Sequence, residues 1–320
     1  MIDLLSIGGM EVEIMRPKSD LPLNEIHTFI GPFPSGASVI TADAAAKMSL
    51  KSAMVGIIGD DAFGDIIYNR LKKDGVDTRG VKRNHKATTG AAFVSYTSKG
   101  NRNYIFHIDP KTDNITTDQF KFNKWKKVKW LHINGSSIVS SKPIRKACNY
   151  AIKKVIKNGG KISLDPNIRT ELSNLKTIKK ILIPYIKKAY ILLPNEDEIT
   201  SLFADELYKS IKKALSFGPK VIAVKRGARG SIIANKDEVK KIMPFDVNCI
   251  DPTGAGDTFN AAFLFAHIND LPIEDSALLA NTTAAISTTK MGPMEGCPTL
   301  NEVKSYLTNK GYNKLINKLA

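Results

Sequence analysis

A glycine-rich segment near the C-terminal end of the chain, DPTGAGD at positions 251–257, holds the residue types best suited to chemistry. Its proline and two glycines favour a tight turn and let a ligand approach the backbone closely. The residues that follow predict a helix, because apolar side chains recur there at helical spacing: Phe259, Ala262, Phe263 and Ala266. The segment therefore ends at a helix N-terminus, where free backbone N–H groups can bind an anion.

Asp257 lies in the first turn of this predicted helix. Phosphoryl transfer needs such a pairing, because the reaction requires donors for the phosphate charge and a base for the attacking hydroxyl group. On this interpretation Gly254, Ala255 and Gly256 form the anion-binding turn, and Asp257 is the base. The alternative is that Asp257 only complements the helix dipole.

The composition favours a cytoplasmic protein with a substantial core. Of the 320 residues, 42% are hydrophobic, and no apolar run is long enough to span a membrane. Residues 1–9 contain an apolar run without a preceding basic region, so we expect a buried strand and not a signal peptide. Cys148, Cys249 and Cys297 lie far apart in the sequence, which fits a reduced compartment.

The net charge of +16 comes from 47 Lys and Arg residues against 31 Asp and Glu residues. Such a charge could attract nucleic acid. However, the lysines occur in dispersed pairs on predicted amphipathic helices, where a solvated face is the usual explanation. We therefore do not expect a nucleic-acid partner.

Strand-like and helix-like runs alternate along most of the chain, which predicts an α/β fold with a mostly parallel sheet between helices. The predicted strands are 52–58, 128–133, 161–164, 189–193 and 221–224, and the predicted helices include 62–73 and 143–157. Polar clusters are expected to follow strands at four places: 165–167, 195–198, 225–227 and from 251 onward. Ligands bind at the carboxyl ends of the strands in such sheets, so we expect one site along one edge.

Two segments, residues 11–33 and 88–108, interrupt this alternation with strand patterning alone. Within the second segment, residues 94–97 and 104–107 predict a hairpin around Ser98–Asn101. We expect both segments to form a small β-sheet lid over the site, inserted in a single domain that spans residues 1–320.

Three motifs resemble those of the ribokinase-like (PfkB) carbohydrate kinases. The segment 251–259 is similar to the C-terminal signature of that family, residues 56–64 to its N-terminal signature, and residues 31–37 to its sugar-binding glycine turn. The pattern is closest to that of fructokinases and 2-keto-3-deoxygluconate kinases. The resemblance implies a three-layer α/β/α fold with a lid, and an enzyme that uses ATP and Mg²⁺ to phosphorylate a primary hydroxyl group of a small sugar.

The resemblance implies two cation sites. Asn195 and Glu198 resemble an N-x-x-E motif near the nucleotide, in which Glu198 would hold Mg²⁺ through water. The alternative is a capping box that only begins the next helix. Asp251 and Thr253 match positions that hold a monovalent cation such as K⁺ in some family members.

The resemblance also implies contacts with the nucleotide. Lys225, Gly227 and Gly230 belong to a turn similar to one that lies along the ATP phosphates, although a plain β-hairpin turn is the alternative. Asn281 resembles a residue that borders the adenine, and the alternative is a solvent-facing helix residue.

On the sugar side, the resemblance implies that five residues contact the substrate besides Asp257: Glu13, Gly36, His107, Asn167 and Arg169. The chain departs from its relatives at Ile40, where many carry Asn. It also has His107 where 2-keto-3-deoxygluconate kinases place an arginine for the substrate carboxylate. Because a histidine is a poor bidentate partner for a carboxylate, we expect a neutral ketohexose such as fructose or tagatose.

Three other functions stay open at this point. They are a 2-keto-3-deoxygluconate kinase, a nucleoside or vitamin kinase of the same fold, and a basic nucleic-acid-binding protein without turnover. The resemblance further implies a homodimer formed through the lid, because a second copy could cover the exposed edge of the lid sheet.

Overall fold

The computed structural model describes residues 1–98 and 102–319. Residues 99–101 of the predicted hairpin turn and Ala320 lie outside the described residues. In chain order the strands are β1 (Ile2–Ile7), β2 (Glu11–Met15), β3 (Ile30–Ser35), β4 (Ser52–Gly59), β5 (Asp77–Asn84), β6 (Gly90–Tyr96), β7 (Arg102–His107), β8 (Val128–Asn134), β9 (Lys161–Asp165), β10 (Ile191–Leu192), β11 (Val221–Lys225), β12 (Ser231–Ala234) and β13 (Val239–Ile242).

The helices alternate with these strands over most of the chain. In chain order they are α1 (Ala37–Lys47), α2 (Ala62–Lys73), α3 (Phe122–Trp125), α4 (Gly135–Ser140), α5 (Lys142–Lys157), α6 (Leu175–Ile186), α7 (Glu196–Phe203), α8 (Leu207–Phe217), α9 (Ala255–Ile268), α10 (Ile273–Ser287), α11 (Leu300–Asn309) and α12 (Asn313–Ile316).

A nine-stranded sheet forms the centre of the fold, in the order β13-β12-β11-β10-β9-β8-β1-β4-β5. The strands from β11 to β5 run parallel, and the hairpin strands β12 and β13 add an antiparallel edge. The inner strands are apolar and buried because helices cover both faces. One core cluster packs α5, α6, α7 and α8 against the sheet, and another packs α1, α9, α10 and α11 against the other face. The predicted α/β/α fold is confirmed.

A second, four-stranded sheet has the order β3-β2-β6-β7 and forms the lid. The pairs β2–β3 and β6–β7 are antiparallel, and β2 and β6 run parallel. In the predicted hairpin, Val94 pairs with Tyr104. The predicted lid sheet is therefore present in the fold.

The N-terminal signature motif ends in a helix start. Asp61 caps α2, and its carboxylate accepts a hydrogen bond from the Gly64 N–H at 2.8 Å. These contacts give the turn a structural role at the start of α2. Among the described residues, no helix is both long and apolar enough to cross a bilayer.

Candidate active site

A cavity of about 260 Å³ lies between the lid sheet and the carboxyl ends of the core strands. The lid lines it with residues of β2 and β7, and the core lines it with residues after β9 and at the start of α9. Seven residues of the predicted site lie in its wall: Glu13, Gly36, Asn167, Arg169, Thr253, Gly254 and Asp257. The structure thus brings the predicted sugar contacts and the predicted catalytic turn together.

The catalytic turn presents backbone donors to this cavity. Gly254 has a φ of 75°, and a Cβ atom at this position would lie 2.2 Å from the carbonyl oxygen of Pro293. A glycine is therefore required here on two grounds. The N–H group of Ala255 makes only a long 3.4 Å bond to the preceding turn. Within the described chain, the N–H groups of Gly256 and Asp257 donate to no protein acceptor, so the start of α9 can bind an anion.

Asp257 lies in the first turn of α9, partly buried in the cavity wall. Burial and the nearby Asp165 carboxylate raise the pKa of Asp257 to about 7, although Lys225, Arg169 and Arg102 counteract them. A carboxylate with this pKa can accept a proton near neutral pH and is suited to general-base chemistry.

A buried network lies behind the turn. The Lys225 ammonium donates to Asp165 Oδ2 at 2.6 Å and to Asn260 Oδ1 at 3.2 Å, and Asn260 Nδ2 donates to the same Asp165 oxygen at 2.6 Å. Burial alone would raise the pKa of Asp165, but Lys225 and Asn260 lower it. The ammonium lies 3.6 Å from the place where a Cβ of Gly256 would be, so a positive charge stands beside the helix N-terminus.

Asn195 and Glu198 form the capping box that was the alternative to a metal role. Asn195 Oδ1 accepts a bond from the Glu198 N–H, and Glu198 Oε2 accepts one from the Asn195 N–H, both at 2.8 Å. Glu198 Oε1 accepts a further bond from the Ile168 N–H at 2.9 Å. Burial, followed by the Asp165 charge, raises the pKa of Glu198 to about 7. Within the described residues, no group of three or more His, Cys, Asp or Glu side chains forms a metal cage.

Asp251 and Thr253 hold the turn in place. Asp251 Oδ1 accepts bonds from the Thr253 N–H at 2.9 Å and the Thr253 hydroxyl group at 2.5 Å. Asp251 Oδ2 accepts a bond from the Gly292 N–H at 2.8 Å. Thr253 also hydrogen bonds with the hydroxyl group of Tyr96 in the lid. The turn is therefore fixed both to the segment around Gly292 and to the lid sheet.

The turn after β11 joins two antiparallel strands, so the hairpin alternative is realised. Gly227 and Gly230 have φ values of 56° and 76°, and a Cβ at Gly230 would lie 2.1 Å from the Ile242 carbonyl oxygen. Asn281 is buried and donates to the carbonyl oxygens of Ile242 and Met243 at 3.3 and 2.9 Å. Because Asn281 is buried, the solvent-facing alternative is wrong.

The sugar side of the cavity carries an unpaired carboxylate oxygen. Glu13 Oε1 accepts a bond from the Ser35 hydroxyl group at 2.7 Å, whereas Oε2 is buried and has no partner in the described chain. Burial raises the pKa of Glu13 to about 7. Gly36, with a φ of 102°, begins α1, and a Cβ there would lie 2.9 Å from the Gly9 carbonyl oxygen. This side can accept hydrogen bonds from hydroxyl groups.

Asn167 and Arg169 enter the cavity directly after β9. Asn167 has an unusual positive φ of 36°, and its N–H donates to Asp165 Oδ1 at 3.0 Å. The Arg169 guanidinium lies 5.8 Å from the ring centre of Tyr104 on the lid. The Asp165 side chain thus connects the sugar side with the Lys225 network.

Residues 2–300 match the family described as pfkB family carbohydrate kinase. The chain belongs to this family. Fructokinase-2 of Oryza sativa subsp. japonica is 30% identical over 322 residues, which cover 97% of this chain and 95% of that protein. The family match and the sequence identity to fructokinases show that the protein is an ATP-dependent sugar kinase.

Two solved structures share the fold of this kinase. A protein from E. coli, provisionally named ribokinase II and crystallised with ATP and Mg²⁺, is 32% identical with a TM-score of 0.88, over 97% of this chain and all 100% of that chain. A fructokinase double mutant from Vibrio cholerae O395, bound to fructose, ADP and potassium, is 23% identical with a TM-score of 0.83, over 96% of this chain and 98% of that chain.

The polar residues of the kinase cavity that sequence reasoning missed include Glu11, Arg102 and Tyr104. Burial raises the pKa of Glu11 to about 7. Arg102 Nη2 donates to the Pro252 carbonyl oxygen at 3.3 Å, which connects β7 with the catalytic turn. Arg102 and Tyr104 share one face of β7 because side chains alternate along a strand, but the alternation alone does not decide which face meets the cavity.

The predicted contact of His107 with the substrate does not hold in the structure. Because side chains alternate along a strand, Arg102, Tyr104 and Phe106 face the cavity, whereas His107 is exposed on the other face of the lid. Its ring packs edge-on against Phe93, with ring centres 5.7 Å apart. The preference for a neutral sugar therefore cannot be based on His107.

Proposed function

We propose that this kinase transfers the γ-phosphoryl group of ATP to a primary hydroxyl group of a ketohexose. The observation that carries the proposal is Asp257, whose pKa is raised to about 7 and which lines the cavity beside the N–H groups at the start of α9. A base and an anion-binding helix N-terminus at one point of one cavity are what phosphoryl transfer to an alcohol requires.

Each step has a residue suited to it. Asp257 accepts the proton of the sugar hydroxyl group as it attacks the γ-phosphorus in line. The N–H groups of Ala255, Gly256 and Asp257 stabilise the charge that spreads over the phosphoryl oxygens. Lys225 adds a positive charge behind this turn, because its ammonium lies beside Gly256. The lid excludes water, which would otherwise compete with the sugar.

The nucleotide side offers a fit for Mg²⁺. Asp165 and Glu198 are two carboxylates close enough that the charge of Asp165 contributes to the raised pKa of Glu198. Mg²⁺ keeps several waters and takes few protein carboxylates, so this pair suits an ion held through water. When bound, Mg²⁺ neutralises charge on the β- and γ-phosphates. The proposed nucleotide site is bordered by three further elements. Asn195 caps the start of α7, and Gly227 and Gly230 shape the turn after β11. Asn281 hydrogen bonds with the end of β13.

The choice of a ketohexose is supported by the relatives. The rice relative is named as a fructokinase and is 30% identical over nearly its whole length. The cavity adds chemical support, because Glu13 Oε2 is buried, has no partner among the described residues, and can accept a hydrogen bond from a sugar hydroxyl group.

A second candidate substrate, a sugar acid such as 2-keto-3-deoxygluconate, is favoured by one observation. Arg102 and Arg169 both line the cavity, and arginines are suited to bidentate binding of a carboxylate. Against it, the carboxylates of Glu11 and Glu13 share the cavity and act on these arginines. A neutral sugar leaves this charge balance undisturbed.

A substrate panel with a matched variant tests the choice. We would measure kcat/KM for fructose, tagatose, 2-keto-3-deoxygluconate and a set of nucleosides, using the wild type and Arg102→Met. We expect a ketohexose to exceed the acid and the nucleosides by at least about tenfold, with Arg102→Met affecting neutral sugars less than the acid. Preferred turnover of the acid, lost in Arg102→Met, would instead establish the sugar-acid kinase.

Two further proposals concern a cation and the oligomer. We propose that K⁺ binds beside Asp251 and Thr253, where it would stabilise the turn. Replacing K⁺ with Na⁺ should then lower kcat.

We also propose that residues 1–320 act as one unit that dimerises through the lid, where Phe29 and Ile105 are 36% and 46% exposed. Light scattering of the wild type and Ile105→Asp tests the dimer, which a monomeric wild type would contradict.

A further inference from the structure

The positive charge of the kinase is concentrated in one third of the chain. Residues 121–220 contain 22 Lys or Arg and only seven Asp or Glu, so this segment carries +15 of the total +16. Outside it, 25 basic residues are balanced by 24 acidic ones. The lysine pairs are therefore not dispersed over the molecule, as their sequence pattern suggests.

The fold places this segment largely on one side of the molecule. The helices α5, α6 and α8 follow the neighbouring strands β8, β9 and β10, and all three pack into the same core cluster on one face of the central sheet. Their apolar sides are buried, and their outward sides expose lysines, among them Lys153, Lys180 and Lys212. We call the exposed surface of α5, α6 and α8 the basic face.

Few acidic residues neutralise the basic face. Lys213 pairs with Asp205 at 2.7 Å, and Lys209 approaches Glu206 at 3.7 Å. Five other acidic residues occur in residues 121–220: Glu171 precedes α6, and the remaining four lie at the active-site edge, namely Asp165, Glu196, Asp197 and Glu198. The charge of the basic face is thus available to an anionic partner.

Large apolar side chains are exposed among these lysines. Ile156 on α5 is 48% exposed, and Tyr208 and Phe217 on α8 are 50% and 38% exposed. A purely electrostatic surface needs no such residues. Lysines around exposed aliphatic and aromatic groups are typical of a surface that lies on a bilayer, where lysine stems cover apolar area and the ammonium groups reach the headgroup phosphates.

We propose that the basic face binds the surface of a membrane rich in anionic phospholipids. The three helices lie along the sheet and form a broad face, which suits a planar partner better than the groove of a nucleic-acid duplex. The face is built from lysine, since Arg145 donates to the Ile138 and Val139 carbonyl oxygens and Arg169 lies in the cavity. Lysine binds phosphate as a point charge and does not provide the bidentate geometry of base recognition.

Binding at this face leaves the sugar cavity accessible. The cavity opens at the lid and the carboxyl ends of the strands, and the basic face covers a flank of the same sheet. The proposal does not depend on the substrate. Membrane binding can therefore fail while the proposed kinase function holds, and the proposed kinase function can fail while membrane binding holds.

The test uses the full chain and vesicles of phosphatidylcholine, alone or with added phosphatidylserine. We would compare the wild type with a triple charge-reversal variant of the basic face, Lys153→Glu/Lys180→Glu/Lys212→Glu. The control, Lys51→Glu/Lys73→Glu/Lys236→Glu, makes the same change in net charge at three exposed lysines elsewhere. Sugar phosphorylation should be equal in all three proteins, which shows that they are folded.

We expect the wild type to co-sediment with phosphatidylserine vesicles only, and binding to weaken as salt is added. Each lysine near an anionic surface is worth about fivefold in affinity, and the basic-face variant loses three of them. It should therefore bind at least about 100-fold more weakly, and the control should bind nearly as the wild type does. Equal loss in both variants, or equal binding to both vesicle types, would overturn the proposal. Tight binding to duplex DNA without vesicle binding would overturn it in favour of nucleic acid.

Discussion

Replacing Asp257 with asparagine should separate catalysis from nucleotide binding. The change keeps the shape of the side chain at the start of α9 and removes the base. The N–H groups of Gly256 and Asp257 belong to the backbone and remain in the variant. Because a positioned base contributes about 10²–10⁴-fold, we expect kcat to fall at least about 100-fold while the KM for ATP changes by less than about threefold.

The pH dependence of kcat/KM provides an independent measure, because it reports the ionisation of the free enzyme. Burial raises the pKa of Asp257 to about 7, and only the ionised carboxylate accepts a proton. Such a group is about one-tenth ionised at pH 6 and about nine-tenths ionised at pH 8, so wild-type kcat/KM should rise about tenfold between them. The rise should disappear in Asp257→Asn. It should persist in Glu13→Gln, the control, although Glu13 also has a pKa near 7.

The same shift predicts that Asp257→Asn stabilises the free protein. A carboxyl group whose pKa is higher in the folded than in the unfolded state lowers stability as the pH rises above its ordinary pKa, and the full cost is present above pH 7. A rise from 3.8 to about 7 corresponds to at most about 4 kcal/mol, and partial exposure of the side chain reduces this to about 1–2 kcal/mol. The Tm should therefore increase by about 1.5–3 °C at pH 8 and be unchanged near pH 4.

Three results would refute this reasoning about Asp257. Turnover like that of the wild type would show that another group is the base. Loss of ATP binding together with turnover would show that the carboxylate holds the turn instead of accepting a proton. A lower Tm at pH 8 would show that the folded protein stabilises the ionised form. Coupled-enzyme kinetics, nucleotide titration and thermal melts on one preparation distinguish these outcomes.

Three more predictions address neighbouring residues. Lys225→Met should raise the KM for ATP more than the KM for the sugar. It should also lower the free energy of unfolding by about 3–5 kcal/mol, because Asp165 loses its partner at 2.6 Å. A selective rise in the sugar KM would contradict the placement of Lys225 on the nucleotide side. His107→Ala should change kcat/KM by less than about threefold on every sugar, because the residue is exposed on the outer face of the lid, and a larger loss would return it to the site. Gly254→Ala should lower kcat at least about tenfold, because its Cβ would lie 2.2 Å from the Pro293 oxygen; an unchanged kcat would show that the turn can relax.

The elements that position the site could be predicted where local patterns decide them. The strands β4 and β8 are apolar runs, as a sheet covered on both faces requires, and α2 begins at a capping Asp61. The catalytic turn is equally local, because a glycine at 254 with a φ of 75° is needed wherever that turn is made. By contrast, β5 was missed, because its residues are polar and it lies at the edge of the sheet.

Strand register could not be predicted in the same way. Arg102 and His107 both belong to β7, and each lies on the opposite face from the other. A shift of one residue in the pairing of β7 with β6 would exchange these faces completely. The sequence marks β7 as a strand but contains no local signal that decides which of its two faces meets the sugar. The presence of His107 where related kinases carry an arginine therefore says nothing about the substrate. It concerns the outer surface of the lid.

The network around Asp165 shows why motifs alone underdetermine this site. Asp165 is 60 residues from Lys225 and 95 residues from Asn260, yet its Oδ2 atom is within 2.6 Å of a nitrogen of each. They meet because β9, β10 and β11 are neighbours in the sheet and α9 begins over their carboxyl ends. Taken singly, Asn195 begins a helix and Lys225 enters a hairpin, and both descriptions are correct. The order of the strands converts these local structures into one charged wall behind the catalytic turn, so a structural and a catalytic role of the same residue are not alternatives here.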